Sequence, residues 1–378
     1  MAVVLIVTAL TLPVSCNKGT EINLKDFPKR MPGAWEMKSS GEIAAQRGIT
    51  EMAEPPDGNS CYGIEYDAND FYGDPLHTLI ITHDGGESWH TETIPGLENN
   101  VLYGVAATTP NIVHVFGWNY VTGGGNVFRS NDGGKTWQRE APNAYTDPAS
   151  FPDNVRFFNE KDGVIFGDPE NGYYEIYTTH DGGNTWSRVP SNKIPAPLPN
   201  EFGGTFLADT YGNTMWAMAI PQTQTSTTTA RLLQSDDKGE SWYVRSSSLP
   251  FTVFEGSIKF RNRNVGLYKN NGILYRTTDG GGTWTQVNYV GTWFSYDLDN
   301  VPGREGWWVS TGGDTNLPTL SGKGIGSSIS YDDGNHWITI DTAVNHTCVD
   351  ITSPTHGYSG GITTGKGGDG MFVYKAHD

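Results

Sequence analysis

The sequence predicts an all-β chain assembled from one repeated unit of four short strands, and three observations carry the prediction. One octet recurs six times along the chain. Turn formers are abundant, Gly 48 and Pro 21 together making 69 of 378 residues, while only 36% of the chain is hydrophobic and yet holds 12 Trp and 18 Tyr. So many turns with so few long apolar stretches exclude a helical bundle and a polytopic membrane protein, and the core has to form from short elements packed on aromatics. Lys and Arg number 25 against 42 Asp and Glu, a net charge of −17 that repels phosphate backbones and excludes nucleic acid as the expected partner.

The octet reads THDGGESW (Thr82 to Trp89), SNDGGKTW (Ser130 to Trp137), THDGGNTW (Thr179 to Trp186), SDDKGESW (Ser235 to Trp242), TTDGGGTW (Thr277 to Trp284) and SYDDGNHW (Ser330 to Trp337). Its aspartates are read as Asp84, Asp132, Asp181, Asp237, Asp279 and Asp333, at spacings of 48, 49, 56, 42 and 54. Each position has a physical task. The hydroxyl and carboxylate bond the turn's own backbone, the glycines take positive φ, and the Trp buries a large apolar surface between units. The octet is therefore a folded hairpin tip, and its Asp is structural.

The octets resemble the Asp-box (BNR) repeat of β-propellers, over nearly the whole mature chain. Around each octet the sequence supports four strands. In the second unit they are LYGVAATTP, IVHVFGW, NVFRSND and TWQREAP, with the octet as the turn between the third and fourth. The third unit repeats the scheme with VRFFNEKDG, VIFGDP, YYEIYTTHD and TWSRVP. After the sixth octet, TCVDITSP, GYSGG and GMFVYKAHD supply three strands and no fourth, and AWEMKSS (Ala34 to Ser40) is available near the start. The expectation is a single seven-bladed β-propeller of four-stranded antiparallel blades over residues 33–378, its last blade closed by the N-terminal strand so that no edge stays open. GVIFGDPENGYYEIYTTHDGGNTWSRVP, the following PAPLPNEFGGTFLA and QRGI (Gln46 to Ile49) resemble, more narrowly, the YCF48-related propellers of exported bacterial proteins. Photosynthetic members of that group act in assembly by binding other proteins.

Residues 1–15, MAVVLIVTALTLPVS, carry no charged side chain and are followed by Cys16. The run is short for a bilayer span and matches a secretory core. It resembles a lipoprotein signal, which implies Cys16 as the lipidated first mature residue, 16–32 as a linker, and a bacterial cell envelope location with the membrane reached only through the lipid. The two remaining cysteines, Cys61 and Cys348, form no CxxC pair and are read as buried thiols.

Function is expected on the face opposite the octets, where the connections from second to third strand and from blade to blade run. Those connections are long and polar, for example YDANDFYGDP, NYVTGGGN, QTQTSTTT and STGGDTNLPTLSGKGIG. Near the same ends of first strands stand Asp153, Glu201, Glu255 and Asp297. With Asp168 in the GDP turn and Arg47 in the first blade they are candidates for an acidic ring with one cation, capable of supplying an acid and a base for glycoside cleavage. The plainer reading is that such carboxylates cap strand ends. Trp118 and Trp293 fall beside connections on that face and are candidates for stacking on a ligand, whereas Trp216, Trp307 and Trp308 read as strand residues. GYSGG (Gly357 to Gly361) satisfies a nucleophile-elbow pattern, but in a β-blade Ser359 lacks the following helix the elbow needs. GKGGDG leads into a strand and lacks a helix N-terminus for a pyrophosphate. There is no HExxH, the nine His show no ligand spacing, and DLD at Asp297 to Asp299 is far from a full calcium loop, so no metal and no cofactor are expected.

Two functions follow from these features. The first is a monomeric, lipid-displayed binding or assembly module for an envelope protein or a glycan. The second is a glycan-active hydrolase or lyase using the channel carboxylates. A sialidase is disfavoured because only Arg30 and Arg47 precede the first octet and no Arg-Ile-Pro motif is present. The xyloglucan-cleaving propellers resemble two tandem rings, and this chain has length for one.

Overall fold

Within each repeat the apolar pattern decides which strand lies where. In the second, Val113–Asn119 and Gly125–Ser130 are mostly buried and form the middle of a sheet, with Asn100–Ala107 on one side and the short, largely exposed Gln138–Glu140 on the other. The computed structural model describes residues 33–38, 47–67, 78–252, 256–313, 324–361 and 370–375. Over these it forms seven antiparallel blades arranged in a ring. The inner strands, blade by blade, are Arg47–Ala53, Asn100–Ala107, Pro152–Phe157, Glu201–Tyr211, Ser257–Phe260, Asp297–Asn300 and Cys348–Ser353. Each lies against the next, and the seventh lies against the first. Blade 6 alone carries a fifth strand, Val290–Gly291, which pairs in parallel with His336–Asp341.

The ring closes as expected from the missing strand. Ala34–Met37 pairs antiparallel with Met371–Lys375 in the register Ala34↔Lys375 to Met37↔Phe372 and becomes the outermost strand of blade 7. Trp35 Nε1 also donates to Ser327 Oγ at 2.8 Å, which ties this strand to blade 6.

All six octets fold alike. The Ser or Thr hydroxyl donates to the carboxylate two residues on, as Thr82 does to Asp84 at 2.9 Å and Thr277 to Asp279 at 2.9 Å. That carboxylate then accepts the amide four residues further along, Ser88 on Asp84 and Thr136 on Asp132. Asp181 and Asp237 repeat the pattern with Thr185 and Ser241. The fifth position is glycine for two reasons. Its φ lies between 81° and 94° in every copy, and a Cβ there would strike the preceding blade, 2.4 Å from Val373 at Gly86 and 2.5 Å from Leu232 at Gly281. The fourth position also has positive φ, yet it accepts a side chain in two copies, Lys238 and Asp333 at φ 63° and 57°. The Trp rings fill the seams between blades: Trp89 meets Tyr358 of blade 7, and Trp242 meets Phe166 of blade 3.

The sixth octet corrects the assignment of Asp333. Here Ser330 Oγ donates to Asp332 at 3.1 Å, and Asp332 accepts the His336 amide at 2.9 Å and faces His336 Nδ1 at 2.5 Å. Asp332 therefore holds the structural position, and Asp333 instead accepts two bonds from Arg261, at 2.7 and 2.9 Å, and one from Trp308 Nε1 at 3.0 Å. Cys61 and Cys348 are free and buried, side by side in the core between blades 1 and 7. Cys16 lies outside the described residues.

Candidate functional site

The inner strands have an unpaired edge toward the central channel, and their amides need acceptors. Carboxylates on neighbouring inner strands provide them. Glu51 accepts the Val105 amide at 3.0 Å, Asp209 that of Phe260, Asp297 that of Val349 at 3.0 Å, and Asp299 that of Ile351 at 2.8 Å. Each bond joins one blade to the next. Much of the channel's acidity is thus spent on holding the ring together.

A cavity of about 970 Å³ runs the length of the channel, from Ser295, Tyr296 and Thr347 ahead of the inner strands to Ala107 and Phe157 at their far ends. Three cations stand among the acids: Arg156 contacts Glu51 at 3.3 Å, Lys259 contacts Asp299 at 3.7 Å, and Lys269 Nζ donates to Ser295 O at 2.9 Å. Burial pushes the Asp299 carboxyl up to about 6 and that of Asp350 to about 8, the latter helped by the charge on Asp299. Burial opposes the charge on Lys259, but Asp299, Asp209, Asp350 and Asp297 outweigh it and hold its ammonium above the ordinary lysine range.

The structure brings two of the sequence-derived candidates into contact. Asp153, on the inner strand of blade 3, and Asp168, which lies within the adjacent strand Gly163–Glu170 and not in the turn the sequence suggested, are neighbours close enough for each carboxyl to perturb the other. Thr205 Oγ1 donates to Asp153 at 2.9 Å and the Gly203 amide to Asp168 at 2.8 Å. Burial pushes Asp168 up to about 6 and Asp153 well above its ordinary value, the latter reinforced by the Asp168 charge.

The other candidates are dispersed. Glu201 receives both Arg231 and Tyr174, at 2.8 Å from Arg231 Nε and 2.7 Å from Tyr174 Oη. Burial raises its carboxyl, and the bonds from Arg231, Leu198 and Tyr174 bring it below the usual range. It serves as an ion-paired anchor within blade 4. Arg47 lies 3.7 Å from the buried Glu65 in its own blade. Asp297 lines the cavity, and Glu255 lies outside the described residues. No single ring of these groups forms among the described residues, and the cations lining the channel are Arg156, Lys259 and Lys269, with Arg47 not among them. Trp118 is half-buried at the end of its strand, 6.0 Å from Phe151, whereas Trp293 is 8% exposed and packed 4.8 Å from Trp337. Ser359 sits within a strand, fully buried, with Oγ 2.5 Å from His346 Nδ1 and that ring 3.3 Å from Asp341; the chain of bonds seals the seam of blades 6 and 7.

Sequence reasoning missed Glu51, Arg156, Asp209, Lys259 and Asp350, and weighed Asp299 only as part of a calcium loop. Their signal was a lone charge inside an otherwise apolar inner strand, as in SIKF and CVDITS.

Seven four-stranded blades around a lined central channel define the molecule as a seven-bladed β-propeller with its candidate site on the ring axis. Residues 48–264 match the family described as the DUF6242 beta propeller domain, and the chain belongs to that family. None of the curated proteins matches it. Among solved structures it is similar to YCF48 from Cyanidioschyzon merolae, at 17% identity and a TM-score of 0.59, over 90% of this chain and 99% of that one. It is similar also to YCF48 bound to D1 peptide, at 16% identity and a TM-score of 0.57, over 92% and 98%. A mutant α-L-arabinofuranosidase from Fusarium graminearum, in complex with an iminosugar inhibitor, aligns at 12% identity and a TM-score of 0.51, over 80% and 97%. At these identities the likeness is one of fold.

Proposed function

We propose that this protein is an exported, lipid-anchored propeller that acts as a binding or assembly module, engaging a protein or a glycan on the face opposite the octet turns. The lipid is carried by Cys16, and the site of action is the cell envelope. One observation carries the reading: the channel holds a cavity of about 970 Å³ while Glu51, Asp297 and Asp299 are committed to backbone amides, and Glu51 and Asp299 also to ion pairs. That volume lies within the range of about 300–1,000 Å³ usual for ligand sites. Carboxylates tied in this way hold shape and are poorly placed to exchange protons with a substrate. The binding of a peptide by one structural neighbour is in keeping with this role.

The Asp153–Asp168 pair supports a second reading, a glycan-active hydrolase or lyase, because its raised carboxyls are of the kind that supply a general acid. Against it, the two carboxyls are held by Thr205 Oγ1 and the Gly203 amide, and neither lines the central cavity. Incubation with aryl glycosides and polysaccharides, beside binding to glycan and peptide arrays, separates the two. Array binding without turnover is expected. Turnover that disappears in Asp168→Asn would overturn the binding role.

A further inference from the structure

The inner strand of blade 4 leaves its ladder in a way no other inner strand does. Its pairing jumps from Gly203↔Ala219 to Ala208↔Ala217, so five steps on this strand oppose two on its neighbour. The slack forms a bulge, and Thr205, Phe206 and Leu207 all line the central cavity. At its crest Phe206 has φ 62°, a left-handed backbone conformation that a bulky side chain adopts only when something compels it.

One other aromatic residue shares that conformation. Tyr145, at φ 53°, is fully buried, its amide donating to Glu175 Oε1 at 3.0 Å and its hydroxyl to Glu175 O at 2.6 Å. Packing and hydrogen bonds account for Tyr145. Phe206 is half-buried, belongs to none of the core clusters and stacks on no aromatic ring among the described residues. Strain kept at a cavity wall without a packing return points to a ligand.

The chemistry of the surrounding wall narrows the ligand. Glu51 with Arg156 and Lys259 with Asp299 are pairs of opposite charge, and Lys269 stands in the same wall as Glu54, Asp297 and Asp350, so a guest meets both signs side by side. A wholly apolar guest would strip water from those ions without replacing it. A neutral ring with hydroxyls on its rim and an apolar face meets both demands: the hydroxyls bond the paired ions, and the face lies on an aromatic. We propose that Phe206 is the stacking platform of a saccharide-binding site in the central cavity, with Arg156, Glu51 and Lys259 taking the hydroxyls. This rests on the binding role proposed above and names its ligand class.

Isothermal titration of the chain with cellohexaose, xylohexaose, mannohexaose and arabinohexaose tests the site. At least one should bind. Phe206→Gly removes the ring while easing the backbone, since glycine takes this φ at no steric cost, and should weaken binding about tenfold or more with melting no lower than wild type. Phe206→Trp should keep the affinity. The assignment falls if none of the four binds, or if Phe206→Gly binds as wild type does. If none binds while a peptide on the array does, the saccharide site is lost and the binding role stands; if neither binds, both are lost.

Discussion

Exchanging Asp333 for Ala should destabilise the ring more than exchanging Asp332, although Asp332 is the residue that the octet turn uses. Asp333 accepts both forks of the Arg261 guanidinium, and Arg261 is only 9% exposed, so truncation leaves a buried charge facing a gap. Removing one partner of such a pair costs about 3–5 kcal/mol, and the lower end applies here because Glu305 stays 3.6 Å from Arg261. Asp332→Ala loses the His336 amide and the Ser330 hydroxyl at a surface turn, roughly 1–2 kcal/mol. Urea midpoints of both variants, beside the double variant Asp333→Ala with Arg261→Met, measure the difference. Adding Arg261→Met should recover most of the loss, because an apolar side chain of similar volume leaves no charge stranded. Equal losses in the two single variants, or no recovery in the double, would show that Arg261 is not held by Asp333.

Stability should also fall as pH rises from about 4 to 8. The Asp153–Asp168 pair, Asp299 and Asp350 have folded-state values above the ordinary carboxyl range, so their contribution is complete below about 4 and is lost as pH passes through about 6 for Asp168 and Asp299 and about 8 for Asp350. Asp153→Asn, which removes one of the two raised carboxyls, should flatten the lower part of that decline in urea midpoints taken across the range; an unchanged slope would remove the pair from the account. Metabolic labelling with a radioactive fatty acid should mark the wild-type chain and not Cys16→Ser, and an unlabelled wild type would exclude the anchor.

The octet was readable because every position answers to the backbone: a hydroxyl, a carboxylate two residues on, and a glycine where a Cβ meets the blade before. Where two aspartates follow each other, at Asp332 and Asp333, the pattern alone left the choice open to error, and the reach of Ser330 Oγ decides it. Closure was readable from a strand count. The channel was not, because bulges in the inner strands reset which side chains face inward, as between Ile49 and Met52 or Gly203 and Ala208. Contacts such as Thr205 with Asp153, 52 residues apart, leave no local trace.

Closure also sets an order of events. The Gly33 amide donates to the Tyr374 hydroxyl across 341 positions, and the strand that follows it pairs with the last strand of the chain. A chain emerging from its N-terminus therefore makes its first strand long before that strand has anywhere to bind, and the six blades between can pack while it waits. Only when Met371–Lys375 is in place does an open arc with two raw ends become a ring. A chain cut short before Met371 would leave blade 7 half-built and Ala34–Met37 without its partner, an unpaired strand offered to any neighbour doing the same.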